Sequence, residues 1–134
     1  MAAIVTFAGI AHPWMCDAMG HLNARHYAAM FDDASFQLLG RVAGPQDNPM
    51  GWADVRIETD FLHETAAGTL LTVRSHVARI GRSSLTYVHL MSGSLDDIAR
   101  AQATVTTVRL DLAARKSTML DDGARQRAEA LLST

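Results

Sequence analysis

The chain has 134 residues, of which 49% are hydrophobic and 19% charged, and its formal net charge is −2. That is enough for a single domain with a sizeable core, and the basic excess expected of a nucleic-acid binder is missing. One cysteine, Cys16, excludes an intramolecular disulfide; no signal-peptide pattern and no apolar run of roughly 18–20 residues occur, so one cytoplasmic domain over 1–134 is expected.

A first apolar stretch ends at Pro13. Residues 24–42 predict the clearest helix, because Tyr27, Met30, Phe31, Ala34, Leu38 and Val42 recur at spacings of three and four. Asn23 stands at its N-cap, and Gly44-Pro45 stops it. A polar loop follows from Pro45 to Pro49. The period then changes to two: Val55, Ile57, Thr59 and Phe61 alternate with Asp54, Arg56, Glu58 and Asp60, a strand with one wet face. Residues 69–80 and 83–92 predict two strands joined at Gly81-Arg82, and residues 98–112 a long last strand. Its apolar phase changes midway, from Ala99, Ala101, Ala103 and Val105 to Val108, Leu110 and Leu112. That predicts a bulge near Thr106-Thr107. A terminal helix over 121–132 is capped by Asp121. The order predicts an α+β fold: a long antiparallel meander wrapped around one helix, with apolar strand surface left over for dimerisation or further assembly.

The chemistry concentrates in residues 12–27, a loop leaving the first strand and entering the long helix. The first-turn N–H groups of a helix lack intrahelical acceptors and carry positive partial charge, so they can bind a developing oxyanion. A carboxylate beside them, Asp17, can attack a carbonyl or activate water.

The motif Asp17-x-x-Gly20-His21-x-Asn23-x-x-x-Tyr27 resembles the 4-hydroxybenzoyl-CoA thioesterase branch of hotdog-fold proteins. The likeness extends through Glu58–Phe61, Gly68-Thr69-Leu70 and Ile80–Ser84, covering roughly residues 4–112. It implies a hotdog fold, a long antiparallel sheet around one central helix, and hydrolysis of acyl-CoA to a free acid and CoA. It implies Asp17 as nucleophile or general base and the Ala24 N–H as the group that polarises the thioester carbonyl. Gly20 would let the loop pass close to substrate, while His21, Asn23 and Tyr27 line or brace the site. A partner subunit would supply the other half of the cleft, in a dimer or dimer of dimers. The pantetheine arm would run along the hairpin at 80–84, past Ser83, with Arg79 or Arg82 near the CoA phosphates. Coenzyme A enters as part of the substrate, with no further cofactor, nucleic acid or membrane partner. Many relatives carry a second asparagine where Ala24 stands, which leaves only a backbone role there. Trp14-x-x-Asp17-x-x-Gly20-His21, with Phe31-Asp32-Asp33-Ala34, also resembles thioesterase modules associated with carnitine and betaine metabolism.

Other readings compete. Cys16 is a thiol, but free cysteines commonly serve as small buried hydrophobes. The six histidines show no H-E-x-x-H zinc spacing. Asp32 and Asp33 fall off the helix's apolar stripe, and Glu58 or Glu64 could enter the site from a partner chain. Met15, Met19, Met30 and Trp52 could line an acyl pocket; Trp14, on the loop, is the better placed. A hotdog-fold enoyl-thioester hydratase or dehydratase would pair a carboxylate with His12 or His21. A non-catalytic acyl-CoA-binding module would bind without turnover.

Overall fold

The computed structural model describes residues 3–45 and 50–133; the predicted loop at 46–49 lies outside them. Strand β1 (Ile4–Ile10) leads through a 3-10 turn at Pro13–Met15 to helix α1 (Ala24–Ala43). Strands β2 (Met50–Phe61), β3 (Leu70–Ile80), β4 (Ser84–Gly93) and β5 (Ala99–Asp111) follow. A two-residue strand β6 (Lys116–Ser117) and helix α2 (Asp122–Glu129) complete the fold. The strands described pair antiparallel, and the five long ones run β1-β3-β4-β5-β2 across the sheet; a single parallel bridge joins Val77 to Leu132.

The wrapped sheet and single central helix are as expected; the simple meander is not. Only β3, β4 and β5 follow one another across the sheet. β2 pairs with β5 and forms the far edge. The link from β2 to β3, residues 62–69, is too long for a hairpin, and β1 already occupies the free side of β3.

Helix α1 buries all six predicted stripe residues, with Ser35 and Ala43. Its first half packs Tyr27, Met30 and Phe31 on Leu71, Val73, Met91, Ala101 and Ala103, where the two strand alanines make room for large helix side chains. Its second half packs Leu38 and Val42 on Val77, Leu85, Tyr87 and Val105, and on Ala124, Ala128 and Leu131 around α2. Each large aliphatic side chain buried there stabilises the fold by about 1.5–3 kcal/mol. At the helix C-terminus Gly44 adopts φ 63°, and the Arg127 guanidinium donates to the carbonyls of Val42 and Ala43 at 2.7 Å each. A Cβ on Gly44 would meet that guanidinium at 2.8 Å, so both the backbone angle and the close approach require glycine.

The bulge falls elsewhere than predicted. The extra residue is Val55, on β2, opposite Thr106 and Thr107. β5 keeps one phase from Ala101 onward, with residues 101, 103, 105, 107 and 109 buried; its own irregularity lies at Arg100, buried beside Ala101 and skipped in the pairing with β4. The change in apolar pattern marks an outer face that carries Val108 and Leu110, half buried, rather than a slip of the strand.

The core also holds a closed polar chain. Thr6 Oγ1 lies 2.7 Å from Ser75 Oγ, which lies 2.5 Å from His89 Nδ1. His89 Nε2 lies 2.9 Å from Ser35 Oγ, and Phe31 stacks on the ring at 5.7 Å. Burial pushes the His89 imidazole down to about 4, so it stays neutral near pH 7. Beside it, among the described residues, the buried Tyr87 hydroxyl makes no well-formed hydrogen bond.

Candidate active site

The loop from His12 to Asn23 is folded by its own hydrogen bonds. Asp17 N–H donates to the His21 carbonyl at 2.9 Å, and Gly20 N–H to the Asp17 carbonyl at 3.0 Å. Gly20 has φ 80°, the left-handed turn conformation that favours glycine, and a Cβ there would meet nothing within 4 Å. The glycine is therefore required by the turn's backbone angle rather than by crowding.

This turn aims the Asp17 carboxylate. Its Oδ1 accepts Met19 N–H at 2.9 Å and His21 N–H at 3.3 Å, an Asx-turn arrangement. Among the described residues no hydrogen bond reaches Oδ2, which leaves one carboxylate oxygen for a substrate or a water.

The helix start lies a few residues on. Asn23 caps it as predicted: its Oδ1 accepts Arg25 N–H at 3.0 Å, and its carbonyl accepts His26 N–H at 2.9 Å. Ala24 N–H, at the first helical position, has no acceptor among the described residues. A carboxylate oxygen and an amide donor at the positive end of a 20-residue helix thus come from one short segment.

The wall facing them is the segment that leaves β2. Leu22 N–H donates to the Thr65 carbonyl at 2.8 Å, and His21 bridges to Ala66. The hydroxyls of Tyr27 and Thr65 are 2.7 Å apart, and Tyr27 meets Phe61 edge-on at 5.2 Å. His21 Nε2 lies 3.2 Å from Glu64 Oε2. An open groove of about 390 Å³ runs along this wall, lined by His21, Ala24, Tyr27, Phe61, His63 and Glu64 among others but not by Asp17. Glu64 therefore reaches the site from its own chain; that contact was hidden because His21 and Glu64 are 43 positions apart.

Asp17 and Gly20 lie on the turn, Asn23 and Ala24 at the helix start and Tyr27 one turn into α1; of the motif residues His21, Ala24 and Tyr27 line the groove. Trp14 stays apart: it is 71% exposed, stacked on His12 at 6.0 Å and edge-on to His26 at 5.4 Å. Arg79, Arg82 and Ser83 lie at the far end of β3, whose near end adjoins the loop through the Ala11–Thr69 hydrogen bond. The ten steps of β3, at about 3.3 Å each, give a contour of at most roughly 33 Å and place these residues at the opposite end of the strand from the loop. Asp32, Asp33 and Glu58 are exposed, and Met30 is core. Trp52 stacks under the Arg109 guanidinium at 4.4 Å in a separate groove between α1 and β2. Among the described residues no three histidine, cysteine or acidic side chains are grouped to hold a metal ion, and no helix is long and apolar enough to cross a membrane.

β2 itself is unfinished. Val55, Ile57 and Phe61 are 63%, 59% and 57% exposed, on a strand paired only along one edge. An uncovered apolar edge strand is a pairing surface.

Residues 11–128 match the model of the thioesterase-like superfamily. No curated protein sequence is significantly similar to this chain. Among solved structures, the chain is similar to a hypothetical protein from Staphylococcus aureus in complex with CoA, with TM-score 0.87 and 13% identity over 100% of this chain and 89% of that one. It is similar to a 1,4-dihydroxy-2-naphthoyl-CoA thioesterase from Synechocystis, with TM-score 0.79 and 14% identity over 94% and 95%. It is also similar to a hexameric broad-specificity acyl-coenzyme A thioesterase, with TM-score 0.76 and 16% identity over 94% and 92%. At these identities the likeness bears on the fold, and that fold is the hotdog fold.

Proposed function

The chain belongs to the thioesterase-like superfamily, which makes it a thioester hydrolase, and from that premise we propose that it cleaves acyl-CoA to a free carboxylic acid and CoA at the mouth of α1. The observation that carries this reading is that one short segment bears both an Asp17 oxygen and the Ala24 N–H without a hydrogen-bond partner among the described residues. The Ala24 amide holds the thioester carbonyl oxygen and stabilises the negative charge that forms on it. Asp17 either takes a proton from a water that attacks the carbonyl carbon or attacks that carbon itself. The C–S bond then breaks, and its electron pair leaves with the CoA sulfur. In the second route water hydrolyses the resulting anhydride. Neither route uses a metal or redox cofactor. Gly20 sets the turn that aims Asp17, Asn23 holds the helix start, Tyr27 braces the floor and His21 lines the groove.

A second copy completes the cleft. A two-fold axis through the middle of β2 pairs it antiparallel with its mate and covers Val55, Ile57 and Phe61. Because Arg79, Arg82 and Ser83 sit so far from their own Asp17, contact with the CoA phosphates and pantetheine falls to those residues of the other protomer. Trp14 bounds the loop side of the entrance. A homodimer, or a homotetramer built from two such dimers, is the working unit, in the reducing cytoplasm that a lone Cys16 suits.

The test is release of free thiol from a panel of short, medium, long and aromatic acyl-CoAs, with Asp17→Asn beside the parent. We expect turnover to fall at least about a hundredfold in that variant with no change in melting temperature. Near-parental turnover in folded Asp17→Asn would remove Asp17 from the mechanism.

A further inference from the structure

We propose that Glu64 is a positioning residue for the reaction, holding Asp17 in register through His21. The inference rests on Asp17 being the reacting carboxylate.

His21 acts at both of its ends. Its backbone N–H is one of the two donors on Asp17 Oδ1, at 3.3 Å, while its ring Nε2 is held by Glu64 at 3.2 Å. The two anchors differ in rigidity. Glu64 stands on a segment fixed from several sides: His63 N–H donates to the Arg100 carbonyl at 3.2 Å, and His63 Nδ1 lies 2.9 Å from the Glu64 carbonyl oxygen. The adjoining Thr65 is fully buried and bonded to Tyr27. On the other side, the Asp17 turn runs through Met19, 76% exposed, and a left-handed Gly20. Backbone contacts at His21–Ala66 and Leu22–Thr65 hold the end of this turn on the fixed segment, and among the described residues the His21–Glu64 contact is the side-chain link that adds to them.

A half-exposed ion pair adds little to fold stability, because water screens it and ordering two side chains costs entropy. Its effect falls on geometry instead. The His21–Asp17 bond is the longer of the two on Oδ1, so a small shift of His21 loses it and lets the carboxylate swing about the Met19 bond. Misplacing a reacting group by about 1 Å costs on the order of a hundredfold in rate. Loss of one of two fixings should cost a part of that.

The experiment is a double-mutant cycle of Glu64→Ala and His21→Ala on the intact protein. It reads kcat, KM and melting temperature, with hydrogen exchange at the Met19 and His21 amides as a readout independent of turnover. We expect Glu64→Ala to lower kcat roughly tenfold with KM and melting temperature held, and to speed exchange at those two amides. Glu64→Gln, which keeps an acceptor for Nε2–H, should recover most of kcat. The double variant should be no slower than the slower single variant, because both changes cut one path. Additive losses, a raised KM with kcat unchanged, or unaltered amide exchange in Glu64→Ala would each overturn the proposal. If the parent releases no thiol from any acyl-CoA, or Asp17→Asn is fully active, the functional reading fails instead, and amide exchange still decides whether Glu64 fixes the turn.

Discussion

Two histidines define two kinds of region in this molecule. His89, beneath the middle of α1, is fully buried, bonded at both ring nitrogens to serines and stacked on Phe31. His21, at the mouth of the same helix, is about one-third exposed and meets a carboxylate that is itself mostly exposed. The chain Thr6–Ser75–His89–Ser35 closes its polar groups on one another, so their chemistry is spent on holding β1, β3, β4 and α1 together. The mouth leaves groups unclosed: an Asp17 oxygen, the Ala24 amide and the groove wall of Glu64. One helix thus serves as a packing element along its length and as an electrostatic device at its first turn.

That contrast predicts that changes beneath α1 move stability and leave turnover per folded molecule, whereas changes at the mouth do the reverse. The largest expected effect is from Leu38→Ala, a fully buried side chain in the second core cluster. It should cost about 3 kcal/mol of unfolding free energy with kcat intact, read by denaturant titration beside the thiol assay. Next is acid. His89 is pushed down to about 4 by burial, so between the ordinary imidazole range near 6.5 and about 4 the unfolded chain binds the extra proton. Stability is full above that window and falls as pH drops through it, by up to roughly 3 kcal/mol at the acid end. His89→Gln should flatten the slope between pH 6.5 and 4; an unchanged slope would assign the acid sensitivity to other groups. A smaller effect is due at Gly20→Ala, where φ 80° strains an alanine by about 1 kcal/mol. Here kcat should drop roughly tenfold as the Asp17 turn shifts, and a fall in melting temperature without one in kcat would break the contrast. The smallest is Tyr87→Phe. Its buried hydroxyl makes no well-formed hydrogen bond, so removal should leave stability unchanged or raise it by up to about 1 kcal/mol.

Much of this architecture is legible in the sequence because it is periodic or local. The stripe from Tyr27 to Val42 is set by the 3.6-residue repeat, the Asn23 cap acts two residues away, and the Asp17 turn closes within four. The Asp17 turn and the Asn23 cap are therefore readable from the loop and helix start themselves. What was lost depends on pairings far apart in the chain. Nothing local says that β2 crosses to the outside of β5, or that Val55 rather than Thr106-Thr107 carries the bulge. Trp14 packs on His12 and His26, contacts that neither the loop's position nor its composition shows. The polar chain beneath α1 did leave a trace: Ser75 and His89 occupy inward phases of strands whose neighbours at Val73, Val77, Tyr87 and Met91 are apolar. Polar residues on an apolar phase need a mutual partner, but that phase does not say which.

Val55, Ile57 and Phe61 are bare on β2, and on the proposed dimer, with half of each cleft supplied by the second copy, output per protomer should obey mass action. Diluting the protein below the dimer's dissociation constant extinguishes activity without unfolding a single chain, and concentrating it restores the rate. A charged substitution at Ile57 shifts that dilution curve to higher concentration and leaves its plateau in place. A lesion at Asp17 lowers the plateau and leaves the curve where it was.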